Sequence, residues 1–246
     1  MRLQVGLRAA IVVATLCCVR AVAAQEPVTI HVDVSSAGNS DGAGKSTDSS
    51  NVAVWLAPLD AEVMARVAPV GESDAPVATI LQKDKVFIPH VTVVRTGSAI
   101  NFPNDDPFFH NVFSLYNGKR FDLGLYESGT SKALHFNRPG VSYLFCNIHE
   151  NMSAVVLAVD TPFFGVTDRA GHISIANVPD GRYAMHVFYE RSTAEALKAL
   201  DRTVTIVSGA RTIQGVHVAP SPDVRLAHKN KYGEDYVPPP AGGYAP

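Results

Sequence analysis

Apolar and polar residues alternate with period two through most of this chain, the pattern of half-buried strands. It is clearest in "VTIHVDV" (28–34) and "NVAVWLAPL" (51–59). Between them "SSAGNSDGAGKSTDSS" (35–50) is polar and glycine-rich and predicts a loop. The same reading predicts strands at 77–82, 90–94, 98–102, 110–115, 132–136, 141–146 and 153–159. "RTGS", "PNDDP", "YNGK" and "NRPG" supply the turns between them. Short strands so often interrupted predict a β-sandwich or barrel.

After Asp160 the texture changes. "TDRAGHISIANVPDGRYAMHVFYE" (167–190) reads turn, strand, turn, strand, and "RTVTIVS" and "TIQGVHVA" add two more strands. "STAEALKAL" (192–200) places Ser192 three residues before Glu195, a capping-box signature for a short helix. The tail, 220–246, is polar and rich in Pro and Gly, which predicts disorder.

The first 24 residues fit none of this. Arg2 and Arg8 precede an apolar run from Ala9 to Val19, which ends in small residues. That is a secretory leader, cut after Ala23 or Ala24. The run is shorter than the roughly 20 residues needed to span a bilayer, and no later stretch is longer. The expected location is the periplasm or the medium. Loss of Arg2, Arg8 and Arg20 leaves 18 basic against 23 acidic residues, and no basic patch points to nucleic acid.

Export sharpens the cysteine count. Of three cysteines, Cys17 and Cys18 leave with the leader, so Cys146 has no disulfide partner. A lone thiol in an oxidising compartment is either buried or bonded to something else. Cys146 opens "CNIHENM" (146–152), with His149 and Met152 at three-residue intervals, and His110 precedes a predicted strand upstream. Two imidazoles, one thiolate and a weak thioether form the ligand set of blue-copper electron-transfer centres. Zinc would accept the first three, but methionine is a poor zinc ligand. Gln82 is a further residue the strand order could bring near such a site. No Ser/His/Asp arrangement, phosphate loop or carboxylate pair stands out, so no enzymatic activity is expected.

"FIPHVTVVRTGSAINFPNDDPFFHNV" followed by "GVSYLFCNIHENM" resembles the cupredoxins, the group of plastocyanin, amicyanin and pseudoazurin. The resemblance covers 76–160, and the short C-x-x-H-x-x-M loop is similar to that of amicyanin. It is strongest to exported cupredoxin-like proteins often labelled methylamine-utilisation proteins, which carry "HHV" and "CNIHDWM" where this chain has "HNV" and "CNIHENM". It implies a Greek-key β-sandwich holding one type-1 copper on His110, Cys146, His149 and Met152. It also implies that Asn111 ties the two ligand loops together and hydrogen-bonds toward the sulfur. His149 would reach the surface through an apolar patch, for which Pro107, Phe108 and Phe109 are candidates. Asp105, Asp106 and Glu150 read first as solvated turn residues, with a negative rim that steers a basic partner as the alternative.

The run "TDRAGHISIANVPDGRYAMHVF" resembles the second half of carboxypeptidase-regulatory-like (transthyretin-like) sandwich domains. Residues 27–60 fit the first half of that pattern and 161–219 the second, with the cupredoxin inserted between them. The expectation is therefore an all-β protein, a Greek-key cupredoxin sandwich plus a second transthyretin-like sandwich. Its expected role is to carry single electrons between periplasmic redox proteins such as a cytochrome or a dehydrogenase. The alternatives are copper binding or delivery, or a structural sandwich without a redox role.

Overall fold

The computed structural model describes residues 25–35, 48–67, 78–115, 118–224 and 228–236. The expected leader (1–24), most of the glycine-rich loop (36–47) and the last ten residues lie outside them. The chain begins with β1 (Val28–Val34), β2 (Ala53–Pro58) and helix α1 (Ala61–Arg66). A middle segment follows: β3 (Ala78–Thr79), β4 (Leu81–Lys83), β5 (Val86–Ile88), β6 (Val91–Arg95) and β7 (Ala99–Pro103). It continues with β8 (His110–Ser114), β9 (Phe121–Tyr126), β10 (Ser131–His135), β11 (Gly140–Phe145) and β12 (Ser153–Val159). Last come β13 (Phe164–Val166), β14 (His172–Ile175), β15 (Gly181–Phe188), helix α2 (Ala194–Lys198), β16 (Arg202–Ile206) and β17 (Thr212–Val218). The described residues are all-β apart from these two short helices.

Strands from the two ends of the chain pair with one another. One sheet has the order β14-β1-β17 and a second the order β13-β2-β15-β16. β1 buries Val28, Ile30, Val32 and Val34 and exposes the residues between them, as its alternation dictates. These side chains share one core with Leu56, Tyr183, Met185 and Ile213. β2 pairs with β13 and β15, so its partners come from beyond residue 160. The turn into β14 depends on Gly171, whose φ is +82°. A Cβ there would lie 2.0 Å from the Val32 carbonyl oxygen, so no other residue fits without moving β1.

The middle segment forms its own pair of sheets, β6-β12-β11-β8-β9 and β10-β7-β3, with the β4-β5 hairpin beside them. Ile100, Phe102, Val112, Phe136 and Leu144 fill the space between them. β8 is buried along its whole length. β12 is buried on both faces, which accounts for its unbroken apolar run. Ala154, Val156 and Ala158 face the inner core. Val155, Leu157 and Val159 face a separate cluster with Ala53 of β2 and Phe188 of β15.

β5 and β13 are short strands that the sequence pattern did not predict, and three further elements depart from it for local reasons. β9 was not predicted: Phe121 and Leu123 are only partly buried, Leu125 is exposed, Gly124 has φ +68°, and the pairing with β8 slips at a bulge. α1 buries only Val63, too little for a helical stripe to show. In α2 the cap is Thr193, whose Oγ1 accepts from the Ala196 amide at 3.2 Å. Ser192, the expected cap, instead donates to the Ala219 carbonyl at 2.6 Å.

The two sheet pairs are also joined by a polar contact. His90, just before β6, lies 2.5 Å from Glu190 Oε2 through Nε2, and 3.2 Å from the Ser153 carbonyl through Nδ1. The hydrogen bond to Glu190 holds the His90 pKa above its ordinary value, against the pull of burial. A raised pKa makes this contribution fully present below the unfolded value, roughly pH 6.5, and lost as pH rises through the folded one. Calorimetry of wild type and Glu190→Gln between pH 5.5 and 9 should show the largest Tm gap at the acid end and a shrinking gap above neutrality.

Candidate metal centre

Cys146 follows the last residue of β11 and Met152 precedes the first of β12, so the strand pair fixes both ends of the loop between them. Two backbone bonds close it, from the Cys146 amide to the Met152 carbonyl (3.1 Å) and from the Met152 amide to the His149 carbonyl (3.2 Å). Both end residues are fully buried. His110 enters from β8, which pairs with β11 at Phe113 and Phe145. Its Nδ1 lies 3.8 Å from Cys146 Sγ, and His149 Nδ1 lies 3.5 Å from the same sulfur. The donor atoms of His110, Cys146 and His149 all fall within 4.8 Å of one another.

Those separations test the fit. Bonds of about 2.3 Å to sulfur and 2.0–2.1 Å to imidazole, at tetrahedral to trigonal angles, require N···S distances of about 3.5–3.8 Å. The observed 3.5 and 3.8 Å bracket that range closely. Protonation states fit as well. Burial pushes the His149 pKa down to about 4, with the His110 ring and the Lys85 charge opposing a second proton nearby, so its ring is neutral at pH 7. Burial also lowers His110. For Cys146 burial raises the thiol pKa, while the amides of Ile148, Asn111 and His149 pull the other way. The sulfur is thus surrounded by donors suited to a thiolate, which a bound cation would complete by displacing the proton.

The residue holding His110 was not singled out as such by sequence. His110 Nε2 donates to Asp106 Oδ2 at 2.7 Å, which fixes the tautomer and leaves Nδ1 free toward the sulfur. Asp106 is 3% exposed, so it is neither a solvated turn residue nor part of a negative rim, whereas Asp105 and Glu150 are exposed. Burial raises the Asp106 pKa, but the amides of Lys85 and Asp84, at 2.9 and 2.7 Å, together with His110, outweigh it and hold the carboxyl ionised. Asn104 organises the same turn. Its Oδ1 accepts from the Asp106 amide (3.1 Å) and its Nδ2 donates to the Phe108 carbonyl (2.8 Å). The turn residues of "PNDDP" are the signal for this arrangement.

Other candidates are placed differently from expectation. The Asn111 side chain does not bridge the ligand loops: Nδ2 donates to Asp122 Oδ1 at 2.7 Å, and only its backbone amide is directed at the sulfur. Gln82 is buried outside the donor group, with its amide on the Tyr126 hydroxyl and the Phe102 and Pro103 carbonyls. His149 Nε2 does not reach solvent and has no hydrogen-bond partner among the described residues. Phe108 packs against both imidazoles, its ring centroid 5.2 Å from His110 and 5.7 Å from His149. Pro107 and Phe109 are exposed, Phe109 by 54%. Residues 228–236, expected to be disordered, instead lie against the Cys146 loop.

No protein-family model matches the chain, and no curated protein sequence does. Its neighbours among solved structures are cupredoxins. It is similar to a novel purple cupredoxin from Nitrosopumilus maritimus, with 22% identity, TM-score 0.31, and 33% of this chain and 99% of that one covered. It is similar to amicyanin from Paracoccus versutus, with 20% identity, TM-score 0.32, and 37% and 92% covered. It is also similar to the Cu-containing nitrite reductase NirK from Thermus scotoductus SA-01, with 22% identity and TM-score 0.33. There the match covers 42% of this chain and only 27% of the reductase.

The Asp106 contact can be tested directly. Loss of a partner that orients a ligating histidine typically weakens metal binding 10–100-fold. Asp106→Ala should do so in a competition titration against a chromophoric chelator, while Asp105→Ala, one position away and exposed, should leave affinity unchanged.

Proposed function

We propose that this chain is an exported type-1 copper protein that carries single electrons between periplasmic redox partners. The observation that carries the reading is the donor group itself: two neutral imidazole nitrogens and one thiol sulfur at metal-ligand separations, with His110 and Cys146 fully buried and His149 partly so. One copper per chain would be held by His110, Cys146 and His149, with Met152 as the weak axial ligand at the end of the same loop. Copper would supply reversible one-electron chemistry. The protein's part is to hold the donors still. Asp106 fixes one imidazole, β11 and β12 fix the ends of the loop, and burial excludes water and competing ligands. A donor group that scarcely moves suits transfer of an electron and offers no open position for a substrate, so we read the chain as a carrier rather than an enzyme.

Pro107, Phe108 and Phe109 are our candidate docking patch, supported by the exposure of Phe109 and the packing of Phe108 on both imidazoles. Lys85 Nζ lies 5.2 Å from the Phe108 ring centroid, so the patch also carries a positive charge. We also infer that 27–60 and 161–219 form a carboxypeptidase-regulatory-like sandwich with the cupredoxin inserted. The pairing of β1 with β14 and β17, and of β2 with β13 and β15, supports that division. Export rests on the leader pattern at residues 1–24. Among the described residues no helix is long and apolar enough to cross a membrane.

Two measurements test the reading. Addition of Cu(II) to wild type should give an intense thiolate-to-copper band in the visible spectrum that Cys146→Ser abolishes; a wild type without the band would defeat the proposal. Met152→Gln should retain the band and lower the reduction potential in a voltammetric titration, because an amide oxygen favours Cu(II) where a thioether favours Cu(I).

A further inference from the structure

The C-terminal residues reach back across the chain and touch the metal loop at three places. The Tyr236 hydroxyl donates to the Cys146 carbonyl at 2.7 Å. The Lys231 amide donates to Asn147 Oδ1 at 2.9 Å, one residue past the thiol. The His228 ring stacks on Phe145, with centroids 3.9 Å apart and planes at 28°, one residue before it. The same segment also acts on the opposite strand. Lys231 Nζ lies 2.7 Å from Asp122 Oδ2, and Asp122 Oδ1 accepts from Asn111 Nδ2, also at 2.7 Å. Asn111 is adjacent to His110, and its backbone amide is directed at the Cys146 sulfur. Internal bonds make the segment a compact turn: the Tyr232 and Glu234 amides donate to Asn230 Oδ1, and the Asn230 amide to the Glu234 carbonyl.

We propose that residues 228–236 are a structural part of the metal centre, a strap that fixes the Cys146 loop relative to β8 and so sets the position of the thiolate. Tyr236 and Lys231 are its positioning residues; neither supplies a metal ligand. Tyr236 restrains the backbone of the ligand residue itself. Lys231 acts on both sides, on the loop through Asn147 and on β8 through Asp122 and Asn111. A loop held only at its two ends by β11 and β12 can open by local fluctuation, and each added hydrogen bond makes that opening rarer.

The test has one arm without metal and one with it, and only the second rests on the copper reading. In the metal-free full-length chain, the rate at which Cys146 reacts with Ellman's reagent reports opening of the loop. Tyr236→Phe should raise that rate about fivefold, the factor for one lost hydrogen bond. A chain ending at residue 227 should raise it further, with circular dichroism checking that it still folds. In the Cu(II)-loaded protein both variants should change the intensity ratio of the thiolate bands and the EPR hyperfine splitting; Met64→Leu, on helix α1 outside the strap and 49% exposed, should change neither. Unchanged thiol reactivity and unchanged spectra in both variants would overturn the strap. Faster thiol labelling in a protein that gives no copper band even as wild type would uphold the strap and defeat the copper reading.

Discussion

The hydrogen bond between His110 and the Asp106 carboxylate is the constraint from which the rest of the site follows. A buried imidazole can place its proton on either nitrogen, and only one choice leaves a donor facing the sulfur. Asp106 decides the matter, because two backbone amides and the ring itself keep its carboxyl ionised and therefore an acceptor. With Nδ1 free and aimed at Cys146, the strands on either side supply everything else. β8 brings the imidazole, β11 the thiol, and the turn into β12 the second imidazole and the thioether. The charge sits in the turn between β7 and β8 rather than on either strand, so the β-ladders stay regular while the turn carries the polar work.

Much of this was legible in the sequence because it rests on short-range signals. The strand pattern located β1, β2, β6, β7, β8, β10, β11 and β12 to within a residue or two. The grouping of His110, Cys146 and His149 was legible for a chemical reason: one thiol without a disulfide partner, flanked at fixed spacing by His149 and Met152, is a set of soft donors suited to a soft metal. What failed to show were features that depend on distant partners. Asp106 reads as a solvated turn residue until Asp84 and Lys85 are seen to close over it. Asn111 looked free to reach the sulfur until Asp122 claimed its side chain. Residues 228–236 have the composition of a disordered tail, and only Phe145, Asn147 and Cys146 give them a surface to order against. β9 was hidden because a bulge and a glycine break its alternation.

The His90–Glu190 contact and the apolar cluster of Val155, Leu157, Ala53 and Phe188 tie the middle segment to the sheets made from the chain's ends. Both contacts involve β12, the strand that follows the Cys146 loop. The Val155 amide donates to the His90 carbonyl, and His90 Nδ1 meets the Ser153 carbonyl, one residue beyond Met152. The two sheet pairs therefore meet at the base of β12, next to Met152. The thioether's backbone is steadied from one side by the inner core and from the other by a second set of sheets.

That two-sided burial of β12 has a consequence for how such a protein can be divided. A free-standing carrier turns one face of each sheet outward and covers it with polar residues. Here the outward positions of β12 are Val155, Leu157 and Val159, all almost fully buried. Excised as 78–159, the middle segment would present a sticky apolar stripe to water, with a built-in tendency to self-associate. The segment that holds the candidate donors is thus not a portable module that could be shuffled between proteins unaltered. Its separation from the flanking strands, by evolution or by an engineer, would require new surface chemistry along that single strand.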